Sequence, residues 1–461
     1  MEPIGVLVVS KSLSAAAIID TLSRSEKYAP EFYVAEKQLN PFNVKRAKVH
    51  RVIPDLDLDQ IVRFASQHKD DISFALTDTE DFVTAGGRDA LEKQTGIPAV
   101  CVSRKYAVEA SKADQRLLFG RIFDHANPRF KVFDRKDYLS DDAALSEFGR
   151  FADGLGEPVI KPDAPARGAG VGVWGRDFRT KAEMAAFFRN VLSKGRVVVE
   201  ERVEGEESSF HAFSDGKHFI AAPQTRDYKR ALEGDEGKLT GGMGSYRSEK
   251  EHLPFLRPSE WERVVAEEER AFRKWKGRGS QPGLRGIVLY DALMHTGSGF
   301  KVLERNSRGG NTEQVNLLTT MKDDYVEVCL RMIEGTLKGI EFRREASVTT
   351  CAVPEAYGTD TRHPQFPTAV DLGPAEKAAD RFKGRAALFP MDVRVEGRRT
   401  LMGGSRTAAA VGLGDTINAA RLVSRSVAAK VSGPVRYRAD IASAADIEKS
   451  RRRLERLTRS G

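Results

Sequence analysis

Three oxygen-bearing side chains near position 300, Asp291, Glu304 and Asn306, lie in the run IVLYDALMHTGSGFKVLERN and have the chemistry to hold a hard divalent cation. Mg²⁺ takes oxygen ligands and sheds its water reluctantly, so proteins usually hold it with one or two carboxylates and let nucleotide phosphates complete the shell. The set therefore points to ATP chemistry. Positioning falls to two apolar runs, IVLY and FKVLE, separated by Gly297, Ser298 and Gly299, a pattern that predicts a β-hairpin. Residues two apart on a strand share a face, which places Glu304 and Asn306 on one side. An edge hairpin with solvated acids would carry the same residues, so the reading depends on what else the chain supplies.

A second signal is PVIKPD followed by APARGAGVGV. Gly168, Gly170 and Gly172 leave backbone N–H groups open to phosphate oxygens, with Lys161 and Arg167 as the cations. The run is neither a Walker A sequence nor a GxGxxG after the first strand. Some forty residues on, VVVEERVEGEESS presents a strand end at Glu200, Glu201 and Val203, then Glu206 and Glu207. Such an end can offer backbone groups to adenine, and a nearby carboxylate can accept ribose hydroxyls. The stretch QTRDYKRALEGDEGKLTGGMGSY adds Asp227, Lys229 and Arg230, and the turn Thr240, Gly241, Gly242, Met243, Gly244. Each part alone reads as a surface loop; together they form the covering wall of a phosphoryl-transfer site.

The elements that carry these residues are legible in outline. The opening run Ile4 to Val9 is continuously apolar, as in a strand buried on both faces. EFYVA, ISFALT and IPAVCV read as further strands, alternating with helices in SKSLSAAAIIDTLSRS, LDQIVRFASQ and Gly86 to Thr95. Strand and helix in alternation imply a doubly wound α/β domain to about residue 105. Ligands sit at the carboxyl ends of strands in such sheets, which singles out Ser10 to Ser14 and Thr77 to Glu80. Helices are expected over Ala107 to Phe123, Glu260 to Trp275 and from Thr416, with a smaller strand-rich lobe after about residue 340.

Composition bounds the class. At 461 residues, with 40% hydrophobic and 30% charged residues, the chain is an ordinary globular sequence too long for one core. No apolar run approaches the ~18 residues of a membrane span, and Met1 to Ser10 has no secretory signature, so a cytoplasmic enzyme is expected. Cys101, Cys329 and Cys351 are unpaired in spacing and read as buried, reduced thiols. The net charge of +8 is spread along the chain except at the end, EKSRRRLERLTRSG, a basic helical tail that reads as a solvated face. A nucleic-acid module is disfavoured because no aromatic-basic motif accompanies these charges.

Taken in order, SKADQRLLF, EPVIKPD with its glycine loop, VVVEERVEGEESSFHAFSDG, RDYKRALEGDEGKLTGGMGSY and LERNSRGGNTEQ resemble the glycinamide ribonucleotide synthetases, or phosphoribosylamine-glycine ligases, of the ATP-grasp superfamily. The likeness is strong over about residues 70 to 330. It implies an α/β protein with the ATP-grasp fold: an N-terminal doubly wound domain (1–105), an ATP-grasp domain (106–338) with a mobile lid at about 165–225, and a C-terminal α+β domain (339–461). It also implies a monomer or homodimer that uses ATP and Mg²⁺ or Mn²⁺ to join an amino acid to an amine through an acyl phosphate.

By the same resemblance, Lys112 and Lys161, with Arg167, Gly168 and Gly170, reach the nucleotide phosphates. Glu200, Glu201 and Val203 form the adenine hinge, and Glu207 binds ribose. Glu304 and Asn306 take the metal, with Asp291 as an added contact, and Arg308 steadies the transferred phosphoryl group. Asp227, Lys229, Thr240, Gly241, Gly242 and Met243 surround the amino acid and its acyl phosphate, while Ser10, Lys11, Ser12 and Glu80 are left for the amine. The chain departs from the family pattern in SKSLSAAA after the first strand, in Asp78-Thr79-Glu80, at Ala169 and at Asn311. Those departures leave open an alternative, a divergent ATP-grasp ligase joining a different amino acid and amine.

Overall fold

The opening run IGVLVV forms the central strand of a five-stranded parallel sheet in this computed structural model, which describes residues 1–11, 14–163, 170–359 and 366–460. The strand is apolar throughout because both faces are covered: Ile4, Val6 and Val8 pack into one core, Leu7 and Val9 into another. Across the sheet the order is Ala47–Val52, Tyr28–Glu36, Glu2–Ser10, Ile72–Thr77, Ala99–Val100. Strand order reverses between Glu2–Ser10 and Ile72–Thr77, so the crevice at a topological switch point opens beside Ser10 and Asp78. The strand Ala47–Val52 is an addition to the expected set; its sequence, AKVHRV, lies at a half-exposed edge where no apolar run is needed.

Two antiparallel four-stranded sheets follow. The first runs Phe130–Phe133, Val197–Glu201, Pro158–Pro162, Gly172–Val173, and its core is aromatic, with Phe148 and Phe188 stacked at 4.0 Å between the helices Asp141–Leu155 and Lys181–Leu192. The second runs Phe219–Ala221, Glu206–Asp215, Arg285–Thr296, Gly299–Asn306 and contains the expected hairpin. The strand Glu206–Asp215 is central and buried, hydrogen-bonded on both sides, so a lid spanning about 165–225 would have to include a rigid part of the hairpin's own sheet. The helix expected from Ala107 starts at Lys112, because Ser111 Oγ caps it by accepting from Asp114 N at 3.0 Å; two short 3₁₀ turns precede it. The long helix spans Pro258–Lys276.

A further sheet joins Arg226–Asp227, Gly244–Arg247, Ala346–Pro354, Ala408–Gly414 and Ala386–Pro390 in that order. It crosses the expected boundary at residue 338, since two of its strands come from the middle of the chain and three from the last third. The helix Ile417–Ala428 packs on it so closely that a Cβ at Gly412 would lie 2.1 Å from the Ala420 carbonyl oxygen. The basic tail forms the helix Ala444–Ser460 and is more than a solvated face, for Leu454 is buried in the main core. The three cysteines are buried and free, and burial pushes the Cys101 and Cys351 thiols up to about 12. Among the described residues no helix is long and apolar enough to cross a membrane.

Candidate active site

The two antiparallel sheets are stapled by Arg116, on the helix Lys112–Ile122. Its Nε donates to Glu200 of the first sheet at 2.7 Å, while Nη1 and Nη2 donate to the carbonyls of Val302 and Leu303 on the hairpin at 2.8 and 2.6 Å. Lys161 pairs with the same Glu200. Burial alone would raise Glu200, but Arg116 and Lys161 hold it below the ordinary carboxylate range. Past Glu200 the strand runs out: the N–H groups of Glu201 and Arg202 donate to the carbonyls of Arg129 and Glu157, and Val203 follows the last paired residue.

Glu304 is the electrostatic centre of the cleft. Burial opposes its charge, yet Lys112, Lys229, Lys161 and Arg308 surround it and keep it ionised below the usual range. The charges of four cations from four separate stretches of sequence thus act on one carboxylate. Asn306, on the same strand face, donates Nδ2 to the Tyr290 carbonyl at 3.3 Å, which leaves Oδ1 as its acceptor. An ionised carboxylate beside an amide oxygen fits a divalent cation whose remaining ligands are phosphate oxygens and water.

Asp291 does not belong to this set. It pairs across the hairpin with Arg305, whose side chain points to the face opposite Glu304 and Asn306. There Arg305 Nε and Nη2 grip the Asp291 carboxylate at 2.9 and 2.6 Å, and Nη2 also reaches Glu268 at 3.0 Å; all three side chains are fully buried. Glu268 is pushed well up by burial and by Asp291, so the triad is a neutralised internal anchor rather than a cation site. The spacing between Asp291 and Glu304 could not reveal this, because only the register of the hairpin decides which face each residue takes.

Opposite Glu304 stands the wall formed by residues 226–244. Lys229 Nζ meets Glu207 at 3.0 Å, holding that carboxylate, 44% exposed at its side chain, below its usual range. Among the described residues Asp227 Oδ1 has no hydrogen-bond partner although it is buried, and burial together with Glu313 drives Asp227 well above the ordinary carboxylate range. Glu313 stays ionised because it accepts from Tyr290 Oη at 2.6 Å, Thr312 Oγ1 at 3.0 Å and Ser209 Oγ at 3.2 Å. Gly242 sits against Asp227 at φ +104°, where a Cβ would approach Asp227 Oδ1 to 2.8 Å. Thr240 Oγ1 closes the turn by donating to the Lys229 carbonyl at 2.9 Å, and Gly241 O accepts from Arg406 Nη1. Met243 is not a substrate residue: its side chain lies in the main core, its N–H donates to Tyr228 O at 2.7 Å, and its carbonyl accepts from Cys351 N at 2.9 Å.

Arg308 connects the cleft to the parallel sheet. Its Nη2 donates to Glu109 at 3.1 Å and its Nε lies 3.3 Å from Glu80, which also meets Lys11 Nζ at 3.3 Å. Ser10 does not face a ligand. Its hydroxyl donates to the buried Asp78 at 3.0 Å, as Ser14 Oγ does at 3.2 Å, and the Ser14 N–H donates there at 2.8 Å. An aspartate of the chain thus occupies the helix start where the amine substrate was expected. Ser12, Arg167 and Gly168 lie outside the described residues. Arg116, Glu109, Glu313, Tyr290 and Arg406 were not singled out from the sequence because each acts across elements distant in the chain; Glu109 lies two residues before the run SKADQRLLF and meets Arg308, 199 residues on.

A doubly wound domain beside two antiparallel sheets, with a cation-lined cleft around one ionised carboxylate between them, defines the ATP-grasp class. The model of the phosphoribosylglycinamide synthetase ATP-grasp (A) domain matches residues 130–314. The chain is 33% identical over 439 residues to the phosphoribosylamine–glycine ligase of Methanocella arvoryzae, covering 95% of both chains. It is 32% identical to that of Pyrococcus furiosus, over 92% of this chain and 91% of the relative. The chain therefore belongs to the phosphoribosylamine–glycine ligase family. In fold it is similar to the crystal structure of phosphoribosylamine–glycine ligase from Thermotoga maritima, with a TM-score of 0.73 at 21% identity over 95% of this chain and all of that one.

Proposed function

We infer that the protein condenses phosphoribosylamine with glycine at the expense of ATP, giving glycinamide ribonucleotide, ADP and phosphate. The family supports the reaction class, and the observation that carries the reading to this chain is the lining of one cleft by Lys161 on Glu200, Lys229 on Glu207 and Arg308 on Glu80 and Glu109, whose charges, with that of Lys112, act on Glu304. A carboxylate oxygen of glycine attacks the γ-phosphorus of ATP and ADP leaves; the amine then attacks the acyl carbon of the acyl phosphate and expels phosphate. Both steps pass through concentrated negative charge, so positioned cations and dipoles are what a protein can contribute.

In this reading Lys112 and Lys161 hold the nucleotide phosphates, the strand end at Glu200, Glu201 and Val203 receives adenine, and Glu207 takes ribose hydroxyls. Arg308, oriented by Glu80 and Glu109, steadies the phosphoryl group in transit. Asp227, with its unpartnered Oδ1, and Lys229 hold the amino acid beside the Thr240 to Gly242 turn, and Lys11 with Glu80 takes the amine. Glu304 and Asn306 would hold Mg²⁺ or Mn²⁺, which bound there supplies charge neutralisation for the phosphates. The protein acts on small molecules, as a monomer or homodimer, in the cytoplasm.

The test supplies ATP, Mg²⁺, phosphoribosylamine and glycine, then measures ADP release and seeks the condensed product by mass spectrometry. Product with glycine, and loss of turnover in Glu304→Gln, are expected. Turnover of another amino acid and amine, with none from this pair, would replace the reading by that of a divergent ligase; the engagement of Ser10 by Asp78 is the feature that makes the amine side worth the comparison.

A further inference from the structure

The segment that carries Asp227 and Lys229 is held from behind. Side chains of an extended segment alternate between its two sides. Asp227 and Lys229 face Gly242 and Glu207 in the cleft, whereas Arg226 and Tyr228 face the C-terminal helix Ala444–Ser460. Tyr228 Oη donates to Asp446 Oδ2 at 2.7 Å and accepts from the Ala442 N–H at 2.9 Å. Arg226 Nη1 bonds Ser450 Oγ and lies 3.2 Å from Glu206, the neighbour of Glu207, and Arg453 reaches the same Glu206 at 3.6 Å. These contacts are buried where they matter: Tyr228 is 1% and Arg226 8% exposed. The helix also presses on the hairpin that bears Glu304, since a Cβ at Gly297 would lie 2.3 Å from the Leu457 carbonyl oxygen.

We propose that the C-terminal helix is a positioning element of the active site, which sets Asp227 and Lys229 by gripping Tyr228 and Arg226 through Asp446 and Ser450. The proposal rests on the assignment of Asp227 and Lys229 to the carboxylate substrate. Neither Asp446 nor Ser450 touches the cleft, so their effect is indirect and has a distinctive kinetic signature. A displacement of about 1 Å in a positioning group lowers turnover by up to ~100-fold. The adenine hinge lies on the other sheet and the displaced segment reaches the nucleotide only through the Lys229–Glu207 contact, so nucleotide affinity should fall much less than affinity for the carboxylate.

The experiment compares Asp446→Ala, Tyr228→Phe and their combination with Arg459→Ala, an exposed change on the same helix, in the full-length enzyme. Expected are a rise of about tenfold in KM for glycine with a fall in kcat, a smaller change in the affinity for ADP, and no further loss in the double variant, since both changes break one link. Ser450→Thr, which keeps a hydroxyl, should behave better than Ser450→Ala. If Asp446→Ala and Tyr228→Phe lower only the thermal midpoint and leave KM for the carboxylate within twofold, the helix is a structural anchor and the proposal is wrong. The carboxylate used is whichever one supports ADP release by the wild-type protein. Failure of glycine therefore overturns the proposed reaction and leaves the outcome for the helix readable.

Discussion

Asp291→Ala and Glu304→Gln separate the two faces of the hairpin. Asp291 is the main partner of an arginine with no exposed surface, and removing one member of a buried ion pair costs about 3–5 kcal/mol because the other charge stays behind. Glu268, 3.0 Å from Arg305, is available to ionise in its place, which puts the expected loss near the lower end, about 3 kcal/mol. At roughly 2–4 °C per kcal/mol for a cooperative unit of about 150–250 residues, the midpoint of the unit that holds the hairpin should fall by about 6–12 °C. Glu304→Gln abandons no buried partner in that way. It removes the anion among four cations, of which Lys161, Lys229 and Arg308 keep other carboxylate partners, so it should lower the midpoint less than Asp291→Ala does while lowering ATP turnover by at least ~100-fold. The assays are thermal unfolding by circular dichroism and ADP release titrated with Mg²⁺, the latter at a temperature where Asp291→Ala is folded. Half-saturation by Mg²⁺ should be the same for Asp291→Ala as for the wild type. A tenfold weaker Mg²⁺ response in that variant, with an unaltered midpoint, would refute the separation and return Asp291 to the metal.

Other expectations follow from the same geometry. His211 and His295 are buried and neutral, each lowered from 6.5 to about 4 by burial, so the folded state binds fewer protons than the unfolded chain between those values. Their contribution is intact above pH 6.5 and is lost as pH falls toward 4, about 3 kcal/mol for each, and His295→Gln should flatten the acid limb of a pH series of denaturation midpoints. Asp227 has the opposite sign: raised by burial, it favours the protonated folded state, and stability declines as pH rises from 3.8 toward its folded value. Asp227→Asn should accordingly raise the thermal midpoint at pH 7 but not at pH 3.5, while turnover falls; an unchanged midpoint at both would show that Asp227 is ionised without strain. Gly242→Ala places a methyl group 2.8 Å from Asp227 Oδ1 in a left-handed backbone conformation, and should raise KM for the amino acid by about tenfold or more with ADP affinity retained.

What the sequence determined by itself is what local chemistry encodes. Continuous apolar runs marked strands buried on two faces, turn residues marked the hairpin around Gly297, and Glu304 and Asn306, two apart, shared a face because strands have a period of two. Of the cations around Glu304, Lys161 and Lys229 stood out in their own motifs, while Lys112 and Arg308 were marked only by the family resemblance. Tertiary structure alone decided pairing. Asp291 and Glu304 look equivalent along the chain, yet hairpin register sends one to a sealed triad with Arg305 and the other to the cleft. Ser10 reads as a substrate residue until the neighbouring strand brings Asp78 to it from 68 residues away. Nothing local ties Arg226 and Tyr228 to the last helix, which folds back to bond both. In each case the deciding partner is remote in sequence, and a local pattern holds no information about which remote group will fill the space beside it.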